Sequence, residues 1–255
     1  MWTEIYRPTK IDDLIGQPEA HDLFSGLLAL STLQPNILCH GPAGTGKTSA
    51  CLAFAKEKNF DILCLNASNE NGIEVIREKI KSFVTCHSIV MATTGTVKNK
   101  KAVLLDECDA LSDVAQKALR RIMEDYGVCF LLCCNDIERV HPALISRCIS
   151  VSFGPLSKDA IKMICTNILV REHKKEKKDD YTIDFYGGGD ARRAINRLQS
   201  KCEEITILQY KYDLTNKEQL KRLADLDYML HTTTSDYVKC NIRKHLEKYD
   251  FLIKI

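Results

Sequence analysis

Five short apolar runs divide residues 1–155 of the chain. They read NILCH (36–40), FDILCLN (60–66), KAVLLDE (101–107), CFLLCCN (129–135) and ISVSF (149–153). The first four are almost continuously apolar, which is typical of strands buried on both faces of a parallel sheet. Apolar residues at helical spacing lie between them, as at Ile73, Ile76 and Ile80. The pattern predicts an α/β domain over residues 1–155 with a five-stranded parallel sheet.

The hydrophobic pattern changes after residue 155. Residues 156–170 have the spacing of an amphipathic helix with Ser157 as its N-cap, and a second helix is expected within 187–199. We interpret residues 156–205 as a small helical lid domain. In residues 206–255, a capping box at Thr215 and a cap at Ser235 predict a short helical C-terminal segment.

The composition is ordinary for a globular protein and excludes some classes. Hydrophobic residues make up 45% of the chain and charged residues 27%. No run approaches the ~20 apolar residues of a membrane-spanning helix, and the first residues lack a signal-peptide pattern, so we expect no membrane partner. The formal net charge is only +2, so binding of nucleic acid would require a local basic patch.

The chain has 12 cysteines, which raises the question of a zinc site or disulfides. There is no C-x-x-C and no cysteine–histidine cluster with the intervals of a zinc finger. Cys39, Cys64, Cys133 and Cys134 lie inside apolar runs, where a thiol acts as a small hydrophobe. We therefore predict structural, reduced cysteines in a reducing compartment.

A glycine-rich motif connects the first apolar run to a predicted helix. The motif GPAGTGKT begins at Gly41 and matches G-x-x-x-x-G-K-[ST]. Gly41, Gly44 and Gly46 allow backbone N–H groups to surround phosphate oxygens. Lys47 is suited to the β- and γ-phosphates and Thr48 to Mg²⁺. The motif predicts a nucleotide phosphate site.

Polar residues end the third and fourth apolar runs. Asp106 is placed to hold Mg²⁺ through water, and Glu107 to take a proton from an attacking water. Asn135 ends the neighbouring run and is suited to orient that water or contact the γ-phosphate. The alternatives are acids that merely end a strand and an amide that begins a turn.

The P-loop and the polar strand ends, together with the segments below, resemble those of the small subunits of replication factor C, the AAA+ clamp loader. Besides the P-loop, the matching segments are WTEIYRPTKIDDLIGQ (2–17), LNASNENGIEVIREKIKSF (65–83), VLLDECDALSDVAQKALRRIMED (103–125), CNDIERVHPALISRC (134–148) and GGDARRAINRLQ (188–199). The resemblance implies an AAA+ P-loop NTPase that uses ATP and Mg²⁺. It implies assembly with other loader subunits, expected as a hetero-pentamer, which places a sliding clamp on primer–template DNA without sequence preference. It implies a nuclear location, or a viral replication site.

The resemblance also implies roles for residues outside the strand ends. Arg147, in Ser-Arg-Cys, is expected to be an arginine finger that acts in trans on a neighbour's ATP; the alternative is a surface salt bridge. Arg192 is expected to contact nucleotide from the lid. Arg77 and Lys81 lie i, i+4 on one predicted helix and are expected to bind DNA phosphates; the alternative is a solvated basic face.

These expectations define three sets of residues. The nucleotide set is Thr3, Arg7, Ile15, Gly41, Pro42, Ala43, Gly44, Thr45, Gly46, Lys47, Thr48, Ser49, Asn135 and Arg192. The metal set is Thr48 and Asp106. The catalytic set is Lys47, Asp106, Glu107, Asn135 and, in trans, Arg147.

The chain also departs from the family pattern. Ala43 stands where proline is usual, and the lid is short around residues 175–187. The C-terminal segment is also short, which implies either a reduced collar or assembly that depends on larger partners. Two other functions stay open. One is a scaffold subunit that binds nucleotide without hydrolysis, and the other is a different AAA+ DNA-remodelling ATPase, such as a branch-migration helicase.

Overall fold

The computed structural model describes residues 1–30, 35–69, 73–94, 100–172 and 188–212. The chain forms two compact units, residues 1–195 and 196–255, and the sheet and the candidate site belong to the first. The domain boundaries predicted after residues 155 and 205 stay predictions. Within the described ranges, no helix is both long enough and apolar enough to cross a membrane.

A five-stranded parallel sheet forms the centre of the first unit. Its strands are β1 (Asn36–His40), β2 (Asp61–Asn66), β3 (Lys101–Asp106), β4 (Cys129–Cys134) and β5 (Cys148–Ser152). The strand order is β2-β3-β4-β1-β5, and all neighbours are parallel. This confirms the predicted sheet. Parallel pairing also brings the carboxyl ends of β1, β3 and β4 to one edge, where the predicted site residues follow.

Eight α-helices are described around and after this sheet. They are α1 (Trp2–Ile5), α2 (Pro18–Ala29), α3 (Lys47–Glu57), α4 (Ile73–Thr94), α5 (Asp113–Asp125), α6 (Pro142–Ile145), α7 (Lys158–Arg171) and α8 (Ala191–Tyr212). Three 3-10 turns lie at Ile11–Asp13, Cys108–Ala110 and Ile137–Arg139.

The helix starts follow capping chemistry. The Ser157 side chain accepts a hydrogen bond from the Ala160 N–H at the start of α7, which confirms the predicted cap. His141 caps α6 in the same way, followed by proline at the first helical position. The helices predicted from Thr215 and Ser235, and the short part of the lid at 175–187, lie outside the described residues.

Alternate residues of the three inner strands, β1, β3 and β4, are buried on opposite faces of the sheet. Ile37 and Leu131 belong to the core cluster that contains residues of α2 and α3. Leu38 and Leu132 belong to the cluster that contains residues of α4 and α5. Because both faces of these inner strands are covered, nearly every residue in them is apolar.

The described cysteines are free thiols, and most are buried. Sγ of Cys51 lies 3.5 Å from Sγ of Cys39 and 3.7 Å from that of Cys133, inside the core. Burial raises the pKa of the Cys39 thiol well above its ordinary value, so it is protonated and packs as a small apolar group. Cys64 differs from the expectation, because it is exposed on the edge strand β2.

Candidate functional site

A cavity of about 410 Å³ opens at the carboxyl ends of β1, β3 and β4. It brings together most residues predicted to contact nucleotide or to act on it. These are Thr3, Arg7, Ile15, Ala43, Gly44, Thr45, Gly46, Lys47, Thr48, Ser49, Asp106, Glu107, Asn135 and Arg192. Ligands of α/β proteins bind in this position, outside the strand ends. The cavity has the size range of a small-molecule site.

The P-loop connects β1 to α3 and requires glycine at two crowded positions. A Cβ atom on Gly41 would lie 2.1 Å from the carbonyl oxygen of Phe153, and φ there is +140°. A Cβ atom on Gly44 would lie 1.7 Å from Oδ1 of Asp190, at φ +73°. The Ala191 N–H donates to the Gly44 carbonyl at 3.0 Å. Glycine therefore lets the start of α8 pack directly against the phosphate loop.

We expect Gly44→Ala to destabilise the protein by about 2–3 kcal/mol, because it adds left-handed backbone strain and displaces the Asp190 cap of α8. The Arg193 N–H donates to Asp190 Oδ1 at 3.0 Å, and this bond would be lost. Gly26→Ala is the matched control. A Cβ there meets nothing within 4 Å, inside α2, so alanine should stabilise by about 0.5–1 kcal/mol. Urea unfolding measures the free energy of unfolding of both variants. Equal changes in the two would contradict the close packing of Asp190 against Gly44.

Lys47, the first residue of α3, is buried with only 7% of its surface exposed. Its Nζ donates to the carbonyl oxygens of Gly41 and Pro42, at 2.6 and 2.8 Å, and to Oδ1 of Asn135 at 3.0 Å. An ammonium has three donors, so these contacts satisfy it. Burial lowers the pKa of Lys47 from its ordinary value. The cation is thus held between the phosphate loop and the end of β4.

Thr48 and Asp106 lie side by side within the cavity. The Thr48 hydroxyl donates to Asp106 Oδ2 at 2.8 Å, and the other carboxylate oxygen accepts the Glu107 N–H at 3.0 Å. Hydroxyl and carboxylate oxygens are the ligands that Mg²⁺ prefers. The residues present therefore fit a magnesium ion.

Glu107 has an unusual backbone conformation. Its φ is +54° and ψ is +40°, in the left-handed region that residues other than glycine rarely adopt. Glu107 follows β3 immediately and lines the cavity. Such strain is concentrated at functional sites, where neighbouring structure enforces it.

Asp109 is a residue of this site that the sequence reasoning missed. It is 7% exposed, and its Oδ2 accepts the N–H groups of Asn135 and Asp136 at 3.2 and 3.1 Å. It therefore holds the end of β4 at a fixed position beside β3. The available signal was a third acid, two positions after the Asp106–Glu107 pair.

The N-terminal segment forms one wall of the cavity. The buried Gln17 side chain donates to the carbonyl oxygens of Thr45 and Gly154, at 3.2 and 2.7 Å. The Tyr6 hydroxyl donates to Glu172 at the end of α7, and this bond raises the pKa of Tyr6. These bonds hold the segment that carries Arg7 and Ile15.

Five predicted residues do not line the cavity. Two of them, Gly41 and Pro42, lie in the phosphate loop and accept hydrogen bonds from Lys47 through their carbonyl oxygens. The other three are Arg77, Lys81 and Arg147. Arg77 and Lys81 are exposed on α4, whereas Ile76 and Ile80 of the same helix are buried. Arg147 lies between α6 and β5, where it forms an ion pair with Glu124 of α5. The Arg147 side chain is 34% exposed. Arg77, Lys81 and Arg147 therefore lie outside the chain's own nucleotide cavity.

Known proteins are similar to this chain in sequence and in fold. The family model of the ATPase family associated with various cellular activities (AAA) matches residues 37–156. The replication factor C small subunit of Archaeoglobus fulgidus is 35% identical over 236 aligned positions, which cover 89% of this chain and 72% of that protein. The chain belongs to the replication factor C family.

Two further comparisons define the extent of the likeness. Replication factor C subunit 3 of Saccharomyces cerevisiae is 38% identical over 207 aligned positions, which cover 78% of this chain. The chain spans 59% of the length of that relative. Thermotoga maritima RuvB, described as a Holliday junction branch migration motor, has a TM-score of 0.64 and is 16% identical, covering 80% of this chain and 67% of RuvB. This distant likeness supports the fold alone.

Proposed function

We propose that this chain is an ATP-hydrolysing subunit of a clamp loader of the replication factor C type. One observation carries the proposal: a single cavity contains the Thr48–Asp106 pair and the Lys47–Asn135 pair, with Glu107 beside them. These groups suit binding of a nucleoside triphosphate and its hydrolysis. The small-subunit relatives extend the proposal to clamp loading.

Nucleotide binding would use the loop and the cation together. Backbone N–H groups of the P-loop and the N-terminus of α3 bind phosphate oxygens, and Lys47 binds the β- and γ-phosphates. The Thr48 hydroxyl and the Asp106 carboxylate would hold Mg²⁺. When bound, Mg²⁺ neutralises charge that develops on the transferred phosphoryl group.

Hydrolysis would use Glu107 and Asn135. The Glu107 carboxylate accepts a proton from the attacking water, and the Asn135 amide orients that water without adding charge. Arg192, which lines the cavity from α8, would neutralise phosphate charge from the lid side.

The remaining roles require other molecules. Arg147 would reach the ATP of a neighbouring subunit in a hetero-pentamer and complete that active site. The exposed Arg77 and Lys81 would bind phosphates of primer–template DNA, without sequence preference and with strong dependence on salt. The sliding clamp would be the third partner.

Two alternatives are less well supported. A scaffold that binds nucleotide without hydrolysis has no use for the strained Glu107 beside Asp106. A branch-migration helicase is suggested only by the RuvB likeness at 16% identity, whereas relatives at 35% and 38% identity are replication factor C subunits.

A nuclear location stays a prediction. The relatives named above come from cells and lend no support to a viral replication site.

Glu107→Gln tests hydrolysis directly. We expect ATP turnover to fall by about 10²–10⁴-fold, because glutamine cannot accept the proton, with little change in the Kd for ATP. The matched control is Glu19→Gln, which removes the same charge at an exposed position of α2. Single-turnover hydrolysis and nucleotide titration of the assembled complex separate the two steps. Unchanged turnover would support the scaffold instead.

A further inference from the structure

Arg147 is partly exposed, yet both its backbone and its side chain form several contacts within its own chain. Its N–H donates to the Leu144 carbonyl at 3.0 Å, and its carbonyl accepts the Asn36 side-chain amide at 3.4 Å. The Asn36 Oδ1 accepts the Phe130 N–H of β4 at 3.0 Å. The backbone of Arg147 is therefore tied to the central strands of the sheet.

The guanidinium of Arg147 is held as well. Its Nε donates to Oε1 of Glu124 at 2.7 Å, and its second terminal nitrogen forms an ion pair with the same oxygen. Its first terminal nitrogen donates to the Ala143 carbonyl at 3.0 Å. A guanidinium has five N–H donors, so these contacts within the described chain leave two for another acceptor.

Arg120 adds charge to this group. Its Nε lies 3.5 Å from the same Glu124 oxygen that binds Arg147. Two guanidinium groups and one carboxylate leave the cluster with a net positive charge. A phosphoryl group that meets this surface would therefore find a cation whose orientation is already set.

Stability alone does not account for this arrangement. The side chains of Arg147 and Glu124 are 34% and 43% exposed, and ion pairs of this kind contribute little to folding. Orientation matters much more when a charged group must meet a transition state, because a group that is already in place needs no reorganisation.

We propose that Glu124 is a positioning residue for Arg147: it fixes one edge of the guanidinium and leaves the remaining N–H groups for the phosphoryl group of a neighbour's nucleotide. This inference rests on the proposed function, in which Arg147 acts in trans. Glu124 itself contacts no nucleotide in this assignment. It acts through Arg147 alone.

The test uses the assembled complex, isolated through an affinity tag on this chain. We expect Glu124→Ala to lower kcat for ATP hydrolysis by about 10- to 100-fold and to leave KM unchanged. The reason is that a small displacement of a catalytic group lowers the rate by up to about 10²-fold. Glu124→Gln keeps an acceptor oxygen and should lose less. Glu138→Gln, at an exposed glutamate of the 3-10 turn before α6, is the matched control and should lose nothing.

A double variant decides whether Glu124 acts through Arg147. In the Arg147→Ala background, Glu124→Ala should cause no further loss, since the group that it positions is gone. A further loss there would overturn the proposal. So would a rise in the rate of the single variant, which would mean that Glu124 holds the arginine away from its target.

The controls separate this inference from the proposed function. If Arg147→Ala leaves turnover intact, the trans role itself fails. If Arg147→Ala abolishes turnover but both Glu124 variants are normal, only the positioning role fails. Size-exclusion chromatography verifies assembly, and if the alanine variant fails to assemble, the glutamine variant and its kcat decide.

Discussion

Arg147→Ala is expected to lower ATP turnover of the assembled complex by about 10³-fold or more, because the arginine charge would stabilise the phosphoryl group of a neighbour's ATP. ATP affinity of the variant chain's own cavity should not change, since Arg147 lies outside it. The isolated chain should show low turnover in both forms. Steady-state hydrolysis and nucleotide titration, on complex and isolated chain, measure these effects.

Arg139→Ala is the matched control for Arg147. Arg139 is an exposed arginine of the same segment, and its loss removes the same charge. Normal turnover by the Arg147 variant would contradict the trans role, as would an equal loss in both variants. In mixed complexes, the defect should follow the site next to the variant subunit and not the variant's own site.

Lys47→Ala is expected to weaken ATP binding by about 10²-fold. Hydrogen bonds to charged groups contribute about 1.5–3 kcal/mol each, and the ammonium would contact two phosphates. The change also removes the donor shared by Gly41, Pro42 and Asn135, so the end of β4 loses its link to the phosphate loop. Isothermal titration with ATP measures the loss.

Lys56→Ala is the control for that change. Lys56 is an exposed lysine in the last turn of the same helix, α3, and its replacement should leave ATP affinity unchanged. Lys47→Arg should also bind poorly, because a planar guanidinium does not reproduce the compact ammonium between two carbonyl groups. Tight ATP binding by the Lys47→Ala variant would refute the assigned role.

Much of the fold was predictable because it depends on local pattern. A strand buried on both faces must be apolar at nearly every position, so the runs at 36–40 and 129–135 identify β1 and β4. The phosphate loop was predictable because its glycines and Lys47 are close in sequence. Cys64 was misleading, since an apolar run does not reveal whether its strand lies at a sheet edge.

The chemistry of this protein was thus determined by the sequence itself, in the residue types of the P-loop and the polar ends of two strands. Only the tertiary structure decided how distant residues meet. Lys47 and Asn135 are 88 positions apart, and Gln17 and Gly154 are 137 apart. Their contacts depend on the strand order, which places β4 between β3 and β1. The same holds for Glu124 and Arg147, because their pairing depends on how α5 and the link between α6 and β5 are placed in the fold, and hydrophobic periodicity carries no information about that.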